Sequence, residues 1–350
     1  IGYNKTNDKT GKEPCFMEYY SIGYITNPTL PDVTQDDVLK LTHINLAFGL
    51  VKAGLLDPPQ LPNIGCIEQF RRWNPAIRIM LSVGGWGAGG FSEMARTAEG
   101  RRSFARCCRR AVDEYGLDGI DIDWEYPCSD LAGIDADPAD RETFTLLLQA
   151  LREALGDHLL SVAVGASTEF VRSTQMDQVA RIVDYVQIMT YDMRSGFTHQ
   201  AGHHAALGAT RGDMSNLNTK DMVEMFHSAG VPLEKMVIGA AFYGRLWKGV
   251  RNANHGLLQP AQTVGLSGPR YSEIDEEYLN RNRFVPYWDA DAQAAYLWNG
   301  EDFVSFEPME AVRLKCAFVR EKGLLGIMYW EHGCDPSGEL LRAIEEALHS

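Results

Sequence analysis

Eight runs of apolar residues alternate along the chain with stretches in which apolar residues recur every three or four positions. Most of the runs are rich in Val, Ile and Leu without interruption, as parallel strands buried on both faces usually are. These predicted strands cover residues 19–26, 42–49, 77–84, 117–125, 159–166, 183–191, 236–243 and 324–331. The other stretches predict helices, most clearly over residues 101–115 and 139–155, and also over 219–229, 308–322 and 337–348.

This alternation of strands and helices predicts an α/β fold with a parallel sheet. The count of eight strands favours closure into a (β/α)₈ TIM barrel over a doubly wound open sheet. One connection interrupts the pattern, because residues 246–305 are too long for a loop and rich in aromatic side chains. We therefore expect a barrel domain of residues 1–245 and 306–350, with residues 246–305 as a small inserted domain beside its mouth. A decorative insertion with a minor core of its own is the alternative.

The fourth run carries the most informative chemistry. Within residues 117–127, isoleucines alternate with Asp121, Asp123 and Glu125, so the three carboxylates project from one face of the strand. Repulsion among them should raise the pKa of at least one, and a carboxylic acid that stays protonated near neutral pH suits general acid catalysis. A solvated edge strand and a divalent metal site are the alternatives. Trp124 among the acids disfavours the edge, and the lack of a second acidic cluster or His partner nearby disfavours the metal.

Composition narrows the function by exclusion. The 350 residues are 45% hydrophobic and 23% charged, which is ordinary for a globular protein, and no apolar run is long enough to span a membrane. A net charge of −14 disfavours nucleic acid as a partner. The seven cysteines are odd in number, so at least one is free or intermolecular. We recognise no signal peptide, although the chain begins with Ile1 rather than Met.

Two further motifs allow a functional interpretation. A G-x-G-x-x-G pattern follows the third strand at residues 85–90, but the helix and the acid that a dinucleotide site needs do not follow, so we interpret it as a tight turn. His199 and His203 are spaced as zinc ligands on a helix would be, with His204 adjacent. The segment shows no helical pattern and no Glu in register, so we expect loop histidines near the rim of a cleft.

In a TIM barrel the active site lies at the carboxyl ends of the strands. A single Tyr or Trp at a strand end more often serves packing, so the convergence of several polar and aromatic residues is the informative observation. The residues that the sequence places at those ends are Ser82, Asp123, Glu125, Tyr191, Asp192, Tyr243 and Trp330.

The motif Asp118-x-x-Asp121-x-Asp123-x-Glu125 resembles the signature of glycoside hydrolase family 18, the chitinases and their relatives. Four other segments resemble motifs of the same family in the same order, at residues 82–86, 189–192, 242–245 and 329–331. The resemblance extends from about residue 19 to the C-terminus. It implies a TIM barrel with a small α+β insertion domain between strand 7 and strand 8, which forms one wall of a deep cleft for several sugar units.

The resemblance implies a retaining hydrolase that cleaves β-1,4-linked N-acetylglucosamine polymers or oligomers by substrate-assisted catalysis through an oxazolinium ion. Glu125 would protonate the glycosidic oxygen and then activate water, while Asp123 holds the acetamido group of the substrate. Asp121 would share a proton or a hydrogen bond with Asp123, and Tyr191 would bind the acetamido oxygen. Asp118 is expected to be structural.

Substrate-binding residues and partners also follow from the resemblance. Trp86, Trp247 and Trp288 are candidate stacking platforms, because aromatic rings bind the apolar faces of sugars well. No metal or organic cofactor is implied, and the expected partner is chitin or a chitooligosaccharide bound by a monomer. A polymeric substrate favours an extracellular location, whereas the odd cysteine count and the lack of a recognised signal peptide are compatible with the cytoplasm. The implied substrate-binding residues are Trp330, Tyr243, Asp192, Met189, Trp86, Arg245, Ser82, Phe48 and Tyr24.

Departures from the family pattern bear on subsite preference rather than on the core chemistry. An endo-N-acetylglucosaminidase acting on N-glycans, a peptidoglycan hydrolase and a non-catalytic chitin-binding lectin are the alternatives. Such lectins typically lack the acid at the position of Glu125, and the long insertion favours a chitin-type groove. The departures are Phe197 after Gly196 where Trp is frequent, Phe306-Glu307 in place of a common Tyr-Asp pair, and Thr26-Asn27-Pro28 at the end of the first strand in place of a more aromatic segment.

Overall fold

The computed structural model describes residues 19–57, 61–279 and 281–350. The strands in these residues are β1 Tyr20–Thr26, β2 His43–Lys52, β3 Leu55–Asp57, β4 Arg78–Gly84, β5 Gly119–Asp123, β6 Leu159–Gly165, β7 Tyr185–Met189, β8 Met236–Ala241, β9 Tyr243–Trp247, β10 Leu266–Arg270, β11 Val285–Asp289, β12 Ala294–Trp298, β13 Phe303–Phe306 and β14 Gly326–Trp330. The helices are α1 Gln35–Lys40, α2 Cys66–Trp73, α3 Phe91–Ala95, α4 Ala98–Tyr115, α5 Asp140–Leu155, α6 Thr168–Arg172, α7 Met176–Ile182, α8 Thr219–Ser228, α9 Tyr271–Glu273, α10 Met309–Lys322 and α11 Glu339–Leu348.

Eight parallel strands close into a barrel in the order β1, β2, β4, β5, β6, β7, β8 and β14, and hydrogen bonds between β14 and β1 complete the circle. The predicted (β/α)₈ TIM barrel is therefore confirmed. Successive side chains of a barrel strand point alternately to the surrounding helices and to the barrel interior. In β4, Ile79, Leu81 and Val83 join the main apolar core, whereas Met80 and Ser82 face inward.

A second sheet is formed by residues that lie between β8 and β14 in the chain. Its five antiparallel strands have the order β10, β9, β13, β12 and β11. The predicted seventh strand, 236–243, is wrong at its end, because β8 stops at Ala241 and Tyr243 already belongs to β9. Phe242 marks the change, since its N–H donates to the Trp330 carbonyl oxygen at 2.9 Å. The division of the chain into two domains at residues 245 and 305 stays a prediction.

Local sequence sets the bounds of the helices around the barrel. Thr97 caps α4 by accepting a hydrogen bond from the Gly100 N–H, and Gly116, with a φ of 62°, ends the helix. The predicted helix 101–115 therefore begins three residues later than the observed α4, Ala98–Tyr115.

Two observations concern membrane-spanning helices and the state of the cysteines. No helix in the described residues is both long enough and apolar enough to cross a membrane. The cysteines that the structure describes all carry free thiols, and Cys15 lies outside the described residues.

Candidate active site

A cavity of about 660 Å³ opens at the carboxyl ends of the barrel strands. Most of the predicted site residues line it, although they come from strands far apart in the sequence. The predicted residues on its wall are Tyr24, Phe48, Trp86, Asp123, Glu125, Met189, Tyr191, Asp192, Tyr243, Arg245 and Trp330.

Strand β5 delivers two acids to this cavity, whereas Glu125 lies two residues beyond its end, so the predicted strand 117–125 is wrong at its end. Ile120 and Ile122 pack into the core between the barrel and its helices, so Asp121 and Asp123 point into the barrel, as their alternation predicts. The end of β5 is fixed by a close approach of β4. At Gly84 a Cβ atom would lie 1.9 Å from the carbonyl oxygen of Asp123, so only glycine fits there.

Asp121 lies beneath the cavity and is completely buried. Its Oδ2 accepts hydrogen bonds from the hydroxyls of Tyr24 at 2.8 Å and Ser82 at 2.7 Å. Its Oδ1 accepts from the Ser161 hydroxyl at 2.7 Å and from Gln187 Nε2 at 2.9 Å. Burial raises the pKa of Asp121, and these four hydrogen bonds act against that rise. Neutral donors fill the acceptor sites of both oxygens, and the charge of Asp121 raises the pKa of Asp123. A proton or hydrogen bond shared between the two carboxyls stays a prediction.

Asp123 and Glu125 form a buried acidic pair above Asp121. Burial raises the pKa of Asp123 well above its usual range, and the charges of Glu125 and Asp121 raise it further. Burial also raises the pKa of Glu125 to about 7, against a hydrogen bond with Tyr126 that lowers it. Asp123 Oδ1 has no hydrogen-bond partner among the described residues. The pair therefore holds a proton near neutral pH, which a general acid requires.

Asp192 has the opposite electrostatic setting. Arg245 donates to its Oδ1 from Nε at 2.6 Å and to its Oδ2 from Nη2 at 2.5 Å. His204 Nδ1 lies 3.4 Å from Oδ1. Burial alone would raise the pKa of Asp192, but the hydrogen bonds from His204 and Arg245 hold it well below its usual range. Asp192 is therefore a fixed negative charge beside the acidic pair, where it raises the pKa of Glu125.

Two tyrosines complete the polar wall. The rings of Tyr191 and Tyr243 meet edge to face at 6.2 Å, and Tyr191 lies directly against Gly239. Burial, with the neighbouring carboxylates, raises the pKa of both phenols well above their usual range. Both hydroxyls therefore stay protonated; that of Tyr191 donates to Met328 Sδ at 3.8 Å, and that of Tyr243 bonds Asp192.

Aromatic side chains form a floor and a rim. At the floor, Trp330 stacks on Phe48 with ring centroids 5.3 Å apart. At the rim, Trp86 lies 6.0 Å from Phe197, and the two side chains are 54% and 62% exposed. Rings so placed can cover the apolar faces of sugar units at two depths of the cavity.

Comparison with known proteins assigns the family. The model of the glycosyl hydrolases family 18 matches residues 15–335. The chain belongs to glycoside hydrolase family 18. This confirms the resemblance that the acidic motif of β5 carries.

Solved structures and curated relatives of this family 18 chain agree with that assignment. A structure titled as a family 18 N-acetylglucosaminidase from Paenibacillus barengoltzii is 45% identical, with a TM-score of 0.93 over 95% of this chain and 100% of that one. The Ostrinia furnacalis Group IV chitinase is 29% identical, with a TM-score of 0.87 over 95% and 100%. Chitinase A1 of Niallia circulans is 33% identical over 319 residues, which are 83% of this chain and 45% of that relative. The chain spans about half to two thirds of the length of three of the curated relatives it matches.

Some predicted placements in the family 18 chain are wrong. Ser82 is completely buried and donates to Asp121, so it cannot contact a substrate in this cavity. Trp247 is also completely buried, and its Nε1 donates to the Thr198 carbonyl oxygen at 3.1 Å. Trp288 is 43% exposed but lines a separate depression on the second sheet. Neither tryptophan is a stacking platform for this site.

The structure also bears on three predictions outside the cavity. Asp118 precedes β5 and accepts from Arg71, Arg78 and the backbone N–H of Ile79, which is a structural role. The predicted turn at residues 85–90 is present, but the short helix α3 follows it at once, contrary to the expectation that no helix does. The prediction of rim histidines is wrong for His203, which is buried with its Nε2 3.3 Å from Asp289.

No group of three or more His, Cys, Asp or Glu side chains converges as metal ligands within the described residues.

Ser161 and Gln187 also belong to the site, although no sequence motif marks them. Both are completely buried and both donate to Asp121. The available signal was their polarity at inward positions of the otherwise apolar strands β6 and β7. His204, which supports Asp192, was expected at the rim but is completely buried.

Proposed function

We propose that this family 18 chain is a retaining glycosidase that cleaves β-1,4-linked N-acetylglucosamine oligomers, with the acetamido group of the substrate as the nucleophile. The observation that carries the proposal is the buried pair of Asp123 and Glu125, in which burial raises the pKa of Glu125 to about 7. Asp192, the next carboxylate, is engaged by Arg245 through both oxygens and is poorly placed to act as a nucleophile.

The proposed reaction uses one proton on the acidic pair. Glu125 gives this proton to the glycosidic oxygen as the bond to the anomeric carbon breaks. The acetamido carbonyl oxygen attacks that carbon from the opposite face, while Tyr191 donates a hydrogen bond to it. Asp123 accepts a hydrogen bond from the acetamido N–H and offsets the positive charge of the oxazolinium ion. Glu125 then takes a proton from water, and the water oxygen attacks the anomeric carbon. This opens the oxazolinium ring and leaves the anomeric configuration retained.

The aromatic floor and rim support an oligomeric substrate. Trp330 and Phe48 would lie under the sugar whose bond is cleaved, because they stack on each other in the cavity that the acids line. Trp86 and Phe197 would hold a further sugar at the rim. Soluble chitooligosaccharides could be cleaved inside or outside the cell, whereas cleavage of polymeric chitin would require export of the protein. We also propose that the protein acts as a monomer.

Release of single N-acetylglucosamine units is a second candidate for the mode of cleavage. It is favoured by the Paenibacillus barengoltzii structure, which is 45% identical over 95% of this chain and is titled as an N-acetylglucosaminidase. The chitinase and the N-acetylglucosaminidase modes share the bond and the proposed chemistry. They differ in the length of the released product.

Hydrolysis of a chitooligosaccharide series tests the proposal, with products resolved by length and anomer. Wild type should release β-anomers, and Glu125→Gln should lose at least a hundredfold in kcat while it still binds the oligosaccharides. Glu169→Gln is the control, because this carboxylate lines the cavity outside the acidic pair. Monosaccharide products assign the N-acetylglucosaminidase mode, and longer products the chitinase mode. Release of α-anomers, no cleavage by wild type, or activity of Glu125→Gln within tenfold of wild type would refute the proposal.

A further inference from the structure

A buried ion pair lies behind the wall that carries Tyr191. Lys315 of α10 has its Nζ 2.8 Å from Oε1 of Glu307, and the two side chains are 1% and 4% exposed. Neither side chain lines the cavity. Burying two charges is costly unless further hydrogen bonds compensate the loss of water. The backbone groups that the pair contacts therefore indicate what it does.

The hydrogen-bonded register between β7 and β8 stops just before the active-site residues. Its last paired residues are Ile188 and Ile238. Beyond them, Thr190 Oγ1 donates to the Gly239 carbonyl oxygen and accepts from the Gly239 N–H, both at 2.8 Å. A side chain thus replaces the backbone pairing at the point where the chain enters the site.

Lys315 fixes the same point from the side of the helix. Its Nζ donates to the carbonyl oxygen of Gly239 at 2.7 Å and to that of Thr190 at 3.3 Å. The Thr190 carbonyl belongs to the peptide bond that leads to Tyr191. Gly239 is the surface on which the Tyr191 ring lies, since a Cβ there would be 2.7 Å from ring atom Cε1. The Lys315 ammonium therefore fixes the position of the peptide group before Tyr191 and that of Gly239, against which the Tyr191 ring lies.

Glu307 anchors the ammonium to the neighbouring strand. Its Oε2 accepts from the N–H of Ala241, the last residue of β8, at 2.6 Å. Its Oε1 is the atom that meets Lys315. The pair thus joins α10 to the ends of β7 and β8.

We propose that the Lys315–Glu307 pair is a positioning element for Tyr191, which it holds in place for the attack of the acetamido oxygen. The inference rests on the proposed function. Loss of the pair should lower kcat more than it changes KM, because the phenol is needed when the acetamido oxygen attacks. Glu307 belongs to the Phe306-Glu307 segment, which departs from the family pattern. The inference assigns this departure to the positioning of Tyr191 rather than to subsite preference.

The double variant Lys315→Met/Glu307→Gln tests the inference, because it removes both charges together and leaves no unpaired buried charge. We expect a folded protein whose kcat falls at least tenfold with KM within threefold of wild type. In a Tyr191→Phe background the same double substitution should lower kcat less than twofold further, since the phenol it positions is already absent. Glu307→Asp keeps both charges on a shorter side chain, and it should give a smaller loss with the same dependence on Tyr191.

A second ion pair provides a control, although its side chains are more exposed, at 28% and 40%. Arg152 Nη2 meets Asp184 Oδ2 at 2.6 Å, and the pair also bonds backbone groups of Ile182 and Leu160, at the opposite end of the barrel strands. Arg152→Met/Asp184→Asn should lower stability and leave kcat within twofold of wild type. A kcat within twofold of wild type for Lys315→Met/Glu307→Gln, or an equal further loss in the Tyr191→Phe background, would overturn the inference.

Two readouts separate this inference from the proposed function. A thiazoline analogue of N-acetylglucosamine mimics the oxazolinium ion, and its affinity, measured by calorimetry, should fall with kcat in the double variant. The NMR signal of ¹³C-labelled Tyr191, assigned with Tyr191→Phe, should shift in the double variant and not in the control pair. An unshifted Tyr191 signal refutes the positioning role, whereas a wild type that neither cleaves chitooligosaccharides nor binds the analogue refutes the proposed function.

Discussion

Removal of one donor to Asp121 tests whether the charge of this buried carboxylate supports the acidic pair. Ser161→Ala deletes a hydroxyl that donates to Asp121 Oδ1 at 2.7 Å, between two completely buried residues. A hydrogen bond to a charged group contributes about 1.5–3 kcal/mol. At about 1.4 kcal/mol per pH unit, its loss should raise the pKa of Asp121 by about one to two units, because the bond favours the charged form.

The resulting loss of stability should depend on pH. Burial already raises the pKa of Asp121 in the folded protein, so the fold binds this proton more readily than the unfolded chain does. At a pH where Asp121 is ionised, Ser161→Ala should lower the free energy of unfolding by about 1.5–3 kcal/mol. The loss should shrink as the pH falls through the folded pKa, because a protonated carboxyl no longer needs the donor.

Ser161→Ala should also change the pH dependence of kcat/KM. In the proposed reaction, negative charge at Asp123 offsets the oxazolinium ion, and the charge of Asp121 acts on Asp123. Protonation of Asp121 would remove negative charge from the site and lower kcat/KM. In Ser161→Ala this charge is lost at a higher pH. The acid limb of kcat/KM should therefore move toward neutral pH by about one to two units.

Urea unfolding at pH 7 and pH 4.5, with the pH profile of kcat/KM, measures both effects. Ser92→Ala is the matched control, because Ser92 donates to Asp140 Oδ1 at 2.7 Å in an equally buried setting outside the cavity. It should lose stability without moving the acid limb. A stability loss below about 0.5 kcal/mol at pH 7 in Ser161→Ala, or an unmoved acid limb, contradicts the reasoning.

Two further predictions concern the bottom of the barrel and the rim of the cavity. Burial, with the charge of Arg78, lowers the pKa of His43 to about 3, so the fold excludes a proton that the unfolded chain binds near pH 6.5. Stability should therefore fall by up to about 1.4 kcal/mol per pH unit below pH 6.5, and less steeply in His43→Phe; equal slopes in urea unfolding would contradict this. Trp86→Ala should raise KM for longer oligosaccharides about fivefold, from roughly 1 kcal/mol for covering a half-exposed ring. Trp288→Ala, similarly exposed but outside the cavity, should leave KM unchanged, and an equal effect of both would argue against a sugar site at the rim.

The acidic strand could be predicted because its information is local. Alternation with period two fixes which side chains share a face, whatever the rest of the fold does. Ile120 and Ile122 accordingly face the helices, while Asp121 and Asp123 face the interior. The barrel could also be predicted, since eight apolar runs separated by helical patterns leave few other ways to bury both faces of each strand.

The partners of Asp121 could not be predicted because they depend on strand register. Asp121 stands level with Ser82 on one side and with Ser161 on the other. Gln187 reaches it from β7, one strand further along. A shift of register on β6 would replace Ser161 by an apolar neighbour, and nothing in one sequence fixes that register.

The tryptophans of the second sheet show a different limit. An aromatic residue in an antiparallel strand serves equally well in a core or on a binding surface, and its role depends on which face is covered. Trp247 packs edge to face with Phe303 at 6.0 Å in a closed core, whereas Trp288 stays exposed on another part of the sheet. Composition identified the aromatic richness of this segment but not its distribution between core and surface.

The four carboxylates of the barrel centre differ in what stabilises their charge, and this difference locates the proton. Asp121 has four neutral donors, and Asp192 has a guanidinium on both oxygens, so each can remain ionised. Asp123 has an oxygen without a donor among the described residues, and Glu125 has a pKa raised to about 7 by burial. A proton therefore resides on the Asp123–Glu125 pair. In the proposed reaction, the acetamido N–H would supply the donor that Asp123 lacks, which would favour the charged form of Asp123 and leave the proton on Glu125, next to the bond that breaks.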